Sequence, residues 1–314
     1  MELAYGPVPS RRLGQSLGIN NVPPTTCTYA CVYCQLGSTT NPASERATFQ
    51  GPDAIESAVA DRLAALGPEE TIDHLTIVPD GEPTLDVNLG ETIDRLGQFD
   101  ADVAVITNGS LLHREDVRAD LAGVDWISIK VDAGDPETWT AVDRPHGAVD
   151  FETERDGILS FAAEFDGTLT TETMLVDGVN DGQAVGPTAD LVAEIDPDTA
   201  YVAIPTRPPD EEWVEPPDER AVTAAYRRLA DVVEDVEYLI GAEGDTFAST
   251  GDPREDILGV TAVHPMREDQ IHALLDREDA DWAVVEELLA AGDLVELDYD
   301  ETTFYVRPIS PNRQ

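Results

Sequence analysis

Six times along this chain a short run of apolar and β-branched residues gives way to a longer stretch with helical spacing. That alternation limits the fold more than any other feature. The strand runs are Ser16–Val22, Asp73–Val78, Asp102–Thr107, Asp125–Val131, Thr168–Leu175 and Ala200–Ile204. Helical stretches fall between them at Asp53–Leu66, Leu89–Phe99, Arg114–Leu121, Phe151–Phe165 and Gln183–Glu194, with turns at Gly67-Pro68 and Gly178–Gly182. Strands separated by helices do not pair as tight hairpins. They pair in parallel, with the helices packed over the sheet. Periodicity leaves open whether such a sheet is flat or curls into part of a barrel.

After the last of these runs the pattern changes. A proline- and acid-rich segment, Pro205–Arg220, leads to a helix at Ala221–Glu234 and a short strand at Val236–Ile240. Gly241–Gly259 reads as a linker or ordered loop. Two helices at Arg267–Leu275 and Trp282–Ala291 then precede a hairpin, Leu294–Leu297 and Thr303–Val306, around Asp298–Thr302. Helix, helix, small hairpin is the pattern of a winged-helix module. The expected division is therefore an α/β domain over residues 1–240, a connecting segment over 241–260, and a winged-helix-like module over 261–314.

Charge is distributed very unevenly. The chain has 64 acidic and 19 basic residues in 314, a net charge of −45. The acids run along the whole length, which argues against an acidic tail and suits a protein hydrated in concentrated salt, as in extreme halophiles. With no basic patch to release counterions, neither duplex DNA nor an anionic membrane is an expected partner. Yet Leu13–Ser44 holds no charged residue at all, a run of 32 positions. Gly, Pro, Thr and Asn interrupt it too often for a membrane span. Met1–Pro7 does not read as a signal peptide, so the expected location is the cytoplasm.

The three cysteines, Cys27, Cys31 and Cys34, lie inside that uncharged run. Thiolates at this spacing can wrap one small inorganic centre, and a cubane iron–sulfur cluster held by three of them keeps one iron open. A closed zinc site needs a fourth ligand, and the five histidines (His74, His113, His146, His264, His272) are all remote in sequence. Cluster, histidine-completed zinc and unrelated thiols remain the three readings of the spacing itself.

The Cys27–Cys34 segment, with Tyr33 just before the last cysteine, resembles the radical S-adenosylmethionine superfamily. Pro9–Gly14 and Cys34-Gln35-Leu36-Gly37 resemble a branch of iron–sulfur oxidoreductases related to glycyl-radical activating enzymes and to the enzymes of molybdenum and nitrogenase cofactor synthesis. The resemblance covers Gly6–Gly241 and extends faintly through Ile257–Met266. It implies a partial (β/α)6 TIM-type barrel, a [4Fe–4S] cluster on Cys27, Cys31 and Cys34, and S-adenosylmethionine cleaved reductively to a 5′-deoxyadenosyl radical. It also implies a ferredoxin- or flavodoxin-type reductant. An enzyme acting on an unidentified substrate is the leading expectation. An activating enzyme for a protein partner, and a metal-sensing regulator built on the tail, are the alternatives.

Further residues enter through the same resemblance. Gly81-Glu82-Pro83-Thr84 is similar to the segment that takes the cofactor's amino group, with Asp80 where many relatives carry a second glycine. Thr107-Asn108-Gly109 matches a triplet at the end of the next strand. Strand alternation puts Ser128, Lys130 and Asp132 on one face. Lys130 is the sole lysine beside 18 arginines, and in glycyl-radical activators a lysine on such a strand lies near the cofactor carboxylate. Relatives use the region of Glu172, Met174, Asn180 and Asp181 for ribose and adenine. Arg11, Arg12, Arg144 and Arg207 are candidates for lining a substrate cavity, and Asp210-Glu211-Glu212 reads as solvated surface.

Overall fold

A computed structural model of the protein describes residues 2–67, 70–240, 251–261, 265–299 and 302–308. It opens with a strand that the alternation does not announce. β1 (Ala4–Ser10) runs antiparallel to β2 (Gly14–Ile19). β1 contains Pro7 and Pro9, which cannot donate to a ladder. The strand tolerates them because it is the edge of its sheet and its register shifts between Tyr5 and Val8.

A two-residue parallel pair follows, β3 (Thr26–Cys27) with β4 (Asn41–Pro42). The main alternation is then α1 (Pro52–Ala65), β5 (His74–Ile77), α2 (Leu89–Leu96), β6 (Asp102–Thr107), α3 (Glu115–Leu121) and β7 (Trp126–Lys130). It continues through α4 (Pro136–Val142), α5 (Phe151–Glu164), β8 (Thr168–Met174), α6 (Val185–Ile195), β9 (Thr199–Ala203), α7 (Glu219–Ala230) and β10 (Val236–Leu239). The strand order is β1-β2-β5-β6-β7-β8-β9-β10, parallel throughout from β2 onward. This sheet curls into a half-barrel, the partial TIM-type barrel. Its core is the six-strand alternation, widened by β1 on one side and β10 on the other.

Strand alternation separates two apolar layers. Leu75, Ile77, Val103, Val105, Ile127 and Ile129 face outward against helix residues such as Ile55, Ile93, Leu121 and Phe161. Ala104, Trp126, Tyr201, Ala203 and Leu239 fill the inside with Leu13. The functional side chains lie at the carboxyl ends of the strands, where Ala203 and Leu239 of this inner layer also border the cavity.

Part of the expected connecting loop is a helix. Residues 241–250 lie outside the described residues, but Pro253–Thr261 forms α8. Pro253 opens it with a preset φ, and Asp252 Oδ1 accepts the N–H groups of Arg254 and Glu255 at 3.1 and 3.2 Å. After it come β11 (Met266–Arg267), α9 (Glu268–Arg277), α10 (Ala283–Ala291), β12 (Val295–Tyr299) and β13 (Thr302–Val306), with sheet order β11-β13-β12. The tip of the expected turn, residues 300 and 301, lies outside the described residues. Ile257 and Val260 of α8 share a second core with Ile271, Leu274, Leu288 and Tyr305. That core is tied to the barrel where Val8 packs against it and Arg62 Nη2 meets the buried Asp256 Oδ1 at 3.0 Å. Among the described residues no helix is long and apolar enough to cross a membrane.

Candidate active site

The cysteine loop is built before any ligand enters it. Pairing of β3 with β4 closes its two ends. The N–H groups of Ala30 and Val32 donate to the carbonyls of Asp143 and Val142, each at 3.0 Å, so the loop lies along the end of α4. Trp139 Nε1 donates to the Tyr29 hydroxyl at 3.1 Å, with the rings edge to face at 6.1 Å. α4 is absent from the sequence reading, although Asp135-Pro136 is a strong helix start: Asp135 Oδ1 accepts from Glu137 and Thr138. On the loop's outer flank Ser38 Oγ donates to Asp210 Oδ1 at 2.7 Å, and the Glu211 N–H donates to the Val32 carbonyl at 3.2 Å. Asp210 and Glu211 are therefore half-buried clasps and not the solvated surface expected of them; only Glu212 is exposed. The reason is that the loop's Ser38 donor and Val32 carbonyl are met from outside it, by Asp210 and the Glu211 N–H.

The Gly81 segment fastens the loop to the barrel. A Cβ on Gly81 would stand 2.1 Å from the Thr26 carbonyl oxygen, so glycine is required for this approach. The next N–H, that of Glu82, donates to the same Thr26 oxygen at 3.0 Å. Glu82 is buried and fully engaged. Its Oε1 accepts from the Thr84 N–H, the Thr84 hydroxyl and the Thr107 hydroxyl at 3.0, 2.6 and 2.6 Å, and its Oε2 from the Asn108 N–H at 2.9 Å. Pro83 opens the 3-10 turn that follows. Asn108 Nδ2 in turn reaches Thr28 Oγ1 at 2.7 Å and the Cys27 sulfur at 3.6 Å. One buried carboxylate thus links the ends of β5 and β6 to the cysteine strand. Asp80 differs: its Oδ1 is buried with no hydrogen-bond partner among the described residues, and burial pushes the carboxyl up to about 7.

Lys130 sits at the end of β7 in a charged cluster. Its Nζ lies 2.8 Å from Glu172 Oε1, 3.7 Å from Asp132 Oδ1, and 4.9 Å from the centre of the Tyr33 ring. Glu172 Oε2 accepts from Arg12, whose guanidinium lies over Trp126 and Tyr201 at 5.8 Å each. Asp132 accepts from the Tyr33 hydroxyl and from the Met174 N–H. Burial alone would lower the Lys130 ammonium, but Asp132 and Glu172 push it up. Glu172 shows the converse balance: burial raises it, and the stronger pull of Lys130 and Arg12 brings it down to about 2. Glu172 is the firm counter-charge, since on Asp132 burial outweighs the pull of Lys130 and the Tyr33 and Met174 hydrogen bonds and leaves that carboxyl raised.

Around these groups is a cavity of about 310 Å³ at the carboxyl ends of the strands, lined among others by Tyr33, Cys34, Lys130, Glu172, Met174, Arg11, Arg12 and Arg207. Arg144 stays outside it, paired with Glu211 on the surface. Asn180 is occupied as scaffold: its Nδ2 donates to the carbonyls of Asp132 and Met174, both at 2.8 Å. Asp181 accepts the Gly178 N–H in a turn. The remaining sequence candidates, Gly81, Glu82, Pro83 and Asn108, gather at the cysteine loop, and Tyr33 joins that loop to Lys130 and Asp132. Asp143, whose Oδ1 lies 3.4 Å from the Cys31 sulfur, is a neighbour no local pattern in the sequence marks.

The donor set fits an iron–sulfur centre. Burial pushes all three thiols up, Cys27 to about 12 with Glu82 adding to it, so none is a thiolate by itself. A bound metal is what deprotonates thiols in such a setting. A closed zinc site would need a fourth ligand beside the three sulfurs, and the chain has no fourth cysteine. His264 lies outside the described residues. The unpartnered Asp80 oxygen offers an acceptor for a cationic amino group beside the loop.

Residues 21–186 match the Radical SAM superfamily. Along 98% of its length the chain is 39% identical to a UPF0026 protein of Methanocaldococcus jannaschii, covering 97% of that protein. Among solved structures, a radical SAM methyltransferase from Sphaerobacter thermophilus shares the fold at a TM-score of 0.50 and 16% identity, over 72% of this chain and 67% of that one. Streptococcus suis SuiB bound to S-adenosylmethionine does so at 0.51 and 12% identity, over 70% and 49%.

Proposed function

Since the chain belongs to the radical SAM superfamily, whose enzymes use a [4Fe–4S] cluster and S-adenosylmethionine, we propose that Cys27, Cys31 and Cys34 hold that cluster and that the adjoining cavity takes cofactor and substrate. When bound, the pair supplies a 5′-deoxyadenosyl radical by reductive cleavage of the sulfonium. The observation that carries the reading is the placement of three half-buried thiols in an uncharged loop, pinned to the carboxyl ends of the parallel strands beside a cavity.

The chain's own residues have separable tasks in this account. Asp80 accepts from the cofactor's ammonium through its unpartnered oxygen. Glu82 does not touch the cofactor with its carboxylate; it positions the Gly81-Glu82-Pro83 segment and Asn108 against the cysteine strand. Lys130 turns its ammonium to the cofactor carboxylate, held in place by Asp132 and Glu172. Tyr33 shields that ammonium and closes the loop over it. The uncharged loop keeps water away from a reactive radical. The reductant is a ferredoxin- or flavodoxin-type protein, and the enzyme works in the cytoplasm. The order α8-β11-α9-α10-β12-β13 supports a winged-helix reading of the tail, with contacts to protein or substrate and not to duplex DNA.

The test is metal content. Anaerobically reconstituted protein should hold about four iron and four sulfide per chain, and Cys27→Ala, Cys31→Ala and Cys34→Ala should each lose most of it. Stoichiometric zinc, or eight irons, would contradict the assignment.

A further inference from the structure

Lys130 faces two carboxylates, and they do not hold it equally. Asp132 Oδ1 lies 3.7 Å from the ammonium and accepts the Met174 N–H at 2.6 Å, while Asp132 Oδ2 takes the Tyr33 hydroxyl. Glu172 Oε1 is closer, hydrogen-bonded to Nζ at 2.8 Å. An ammonium given over to one carboxylate has little attraction left for another. For Lys130 to serve the carboxylate of a cofactor, Glu172 must be drawn the other way. Arg12 draws it: its Nη1 meets Glu172 Oε2, so one buried carboxylate is divided between two cations.

Arg12 is anchored without help from Glu172. Ser10 Oγ accepts the N–H groups of Arg12 and Leu13 at 3.3 and 3.2 Å, which shapes the turn between β1 and β2. The Leu13 carbonyl meets His74 Nδ1 at 2.9 Å, and the Leu13 side chain is buried in the inner layer with Trp126 and Tyr201. The turn therefore leans into the half-barrel and carries Arg12 inward. Its guanidinium carbon lies 5.8 Å from the centre of each of the Trp126 and Tyr201 rings, which come from β7 and β9, and its Nη1 reaches Ser128 Oγ at 3.4 Å. A planar cation seated over two rings is a fixed charge. Because Oε2 has a fixed partner, the direction of Glu172 Oε1 towards Lys130 is fixed as well.

We propose that Arg12 is a positioning residue for cofactor binding: by taking one oxygen of Glu172, it leaves Lys130 able to meet the carboxylate of S-adenosylmethionine. This assignment rests on the reading of the cavity as a radical SAM site and of Lys130 as the partner of that carboxylate. It moves Arg12 from the substrate, where the sequence suggested it, to the support behind Lys130. Without Arg12, Glu172 turns its undivided charge on Lys130. The cofactor's carboxylate then competes with a buried carboxylate already in place. The competition concerns the carboxylate alone, so a ligand that lacks one escapes it.

The test compares S-adenosylmethionine with decarboxylated S-adenosylmethionine. Each is titrated calorimetrically into reconstituted full-length protein with its cluster oxidised, so that no cleavage occurs. Arg12→Gln should weaken S-adenosylmethionine about tenfold and leave the decarboxylated ligand within about threefold of the parent. A merely structural role would weaken both alike, and that result overturns the proposal, as does unaltered binding of both. The Arg12→Gln/Glu172→Gln double variant, with the competing charge removed, should regain most of the lost affinity. No recovery would show that Arg12 does not act through Glu172. Iron content and melting temperature control for folding. Arg12→Lys keeps the charge and should stay within about threefold of the parent. A loss of about tenfold in that variant overturns the proposal even where Arg12→Gln does not fold. A parent that binds neither ligand refutes the radical SAM reading of the cavity itself. A parent that prefers S-adenosylmethionine, with Arg12→Gln preferring it equally, refutes this inference alone.

Discussion

At the residue scale, two buried titratable groups make opposite demands. Lys130 stands between Glu172, Asp132 and the Tyr33 ring, a space that suits a compact ammonium better than a planar fork. Lys130→Arg and Lys130→Met should both retain iron but weaken S-adenosylmethionine binding about ten- to hundredfold, roughly 1.5–3 kcal/mol. Titration followed by the reduced cluster's electron paramagnetic resonance signal measures this, and an unaltered Lys130→Arg would remove the lysine from the site. Glu154 shows the reverse case. It is buried beside Tyr29 and Trp139, its Oε2 has no partner among the described residues, and burial pushes its carboxyl from 4.5 up to about 8. The folded state holds that proton where the unfolded chain has released it. The stability it contributes is complete below pH 4.5 and is lost as pH rises through about 8. Glu154→Gln should match the parent in acid and melt higher above about pH 8, by on the order of 2–4 kcal/mol. Parallel melting curves across that range would contradict it.

At the element scale, the loop after β5 is a structural hinge-pin for the cysteines. Gly81→Ala would push a methyl to within 2.1 Å of the Thr26 carbonyl, a backbone atom that cannot swing aside. The variant should lose about 2–4 kcal/mol of stability and several-fold in iron content, although no thiol is touched. Iron loading equal to the parent would show that the close approach is dispensable. The six strands of the main alternation were legible because their period-2 runs are long and well punctuated. β1 was not, because Pro7 and Pro9 break a strand pattern that only an edge position permits. α8 was hidden by Gly259 and a polar first turn, yet Asp252-Pro253 carried its start. The three cysteines, Lys130 and Asn108 were legible from spacing, alternation and resemblance. Strand alternation also set Asp132 beside Lys130, but Asp143 carried no signal and Glu172 was a candidate without its pairing to Lys130, because both contacts arise only through tertiary packing.

At the scale of the whole molecule, one division of charge organises everything above. An acidic exterior surrounds an uncharged loop, and that loop adjoins a cavity where Lys130 and Arg12 are met by Asp132 and Glu172. The half-barrel sets the loop and the cavity at the carboxyl ends of its strands, and the tail core reaches it through Val8 and the Arg62–Asp256 pair. Such a division has a purpose if a radical is generated there and kept from water. The most direct test is to reduce the anaerobically reconstituted protein with dithionite, add S-adenosylmethionine, and quantify 5′-deoxyadenosine and methionine chromatographically. The parent should form the two in equal amounts, and Cys34→Ala neither. A parent protein with a full, reducible cluster that leaves S-adenosylmethionine intact would contradict the account.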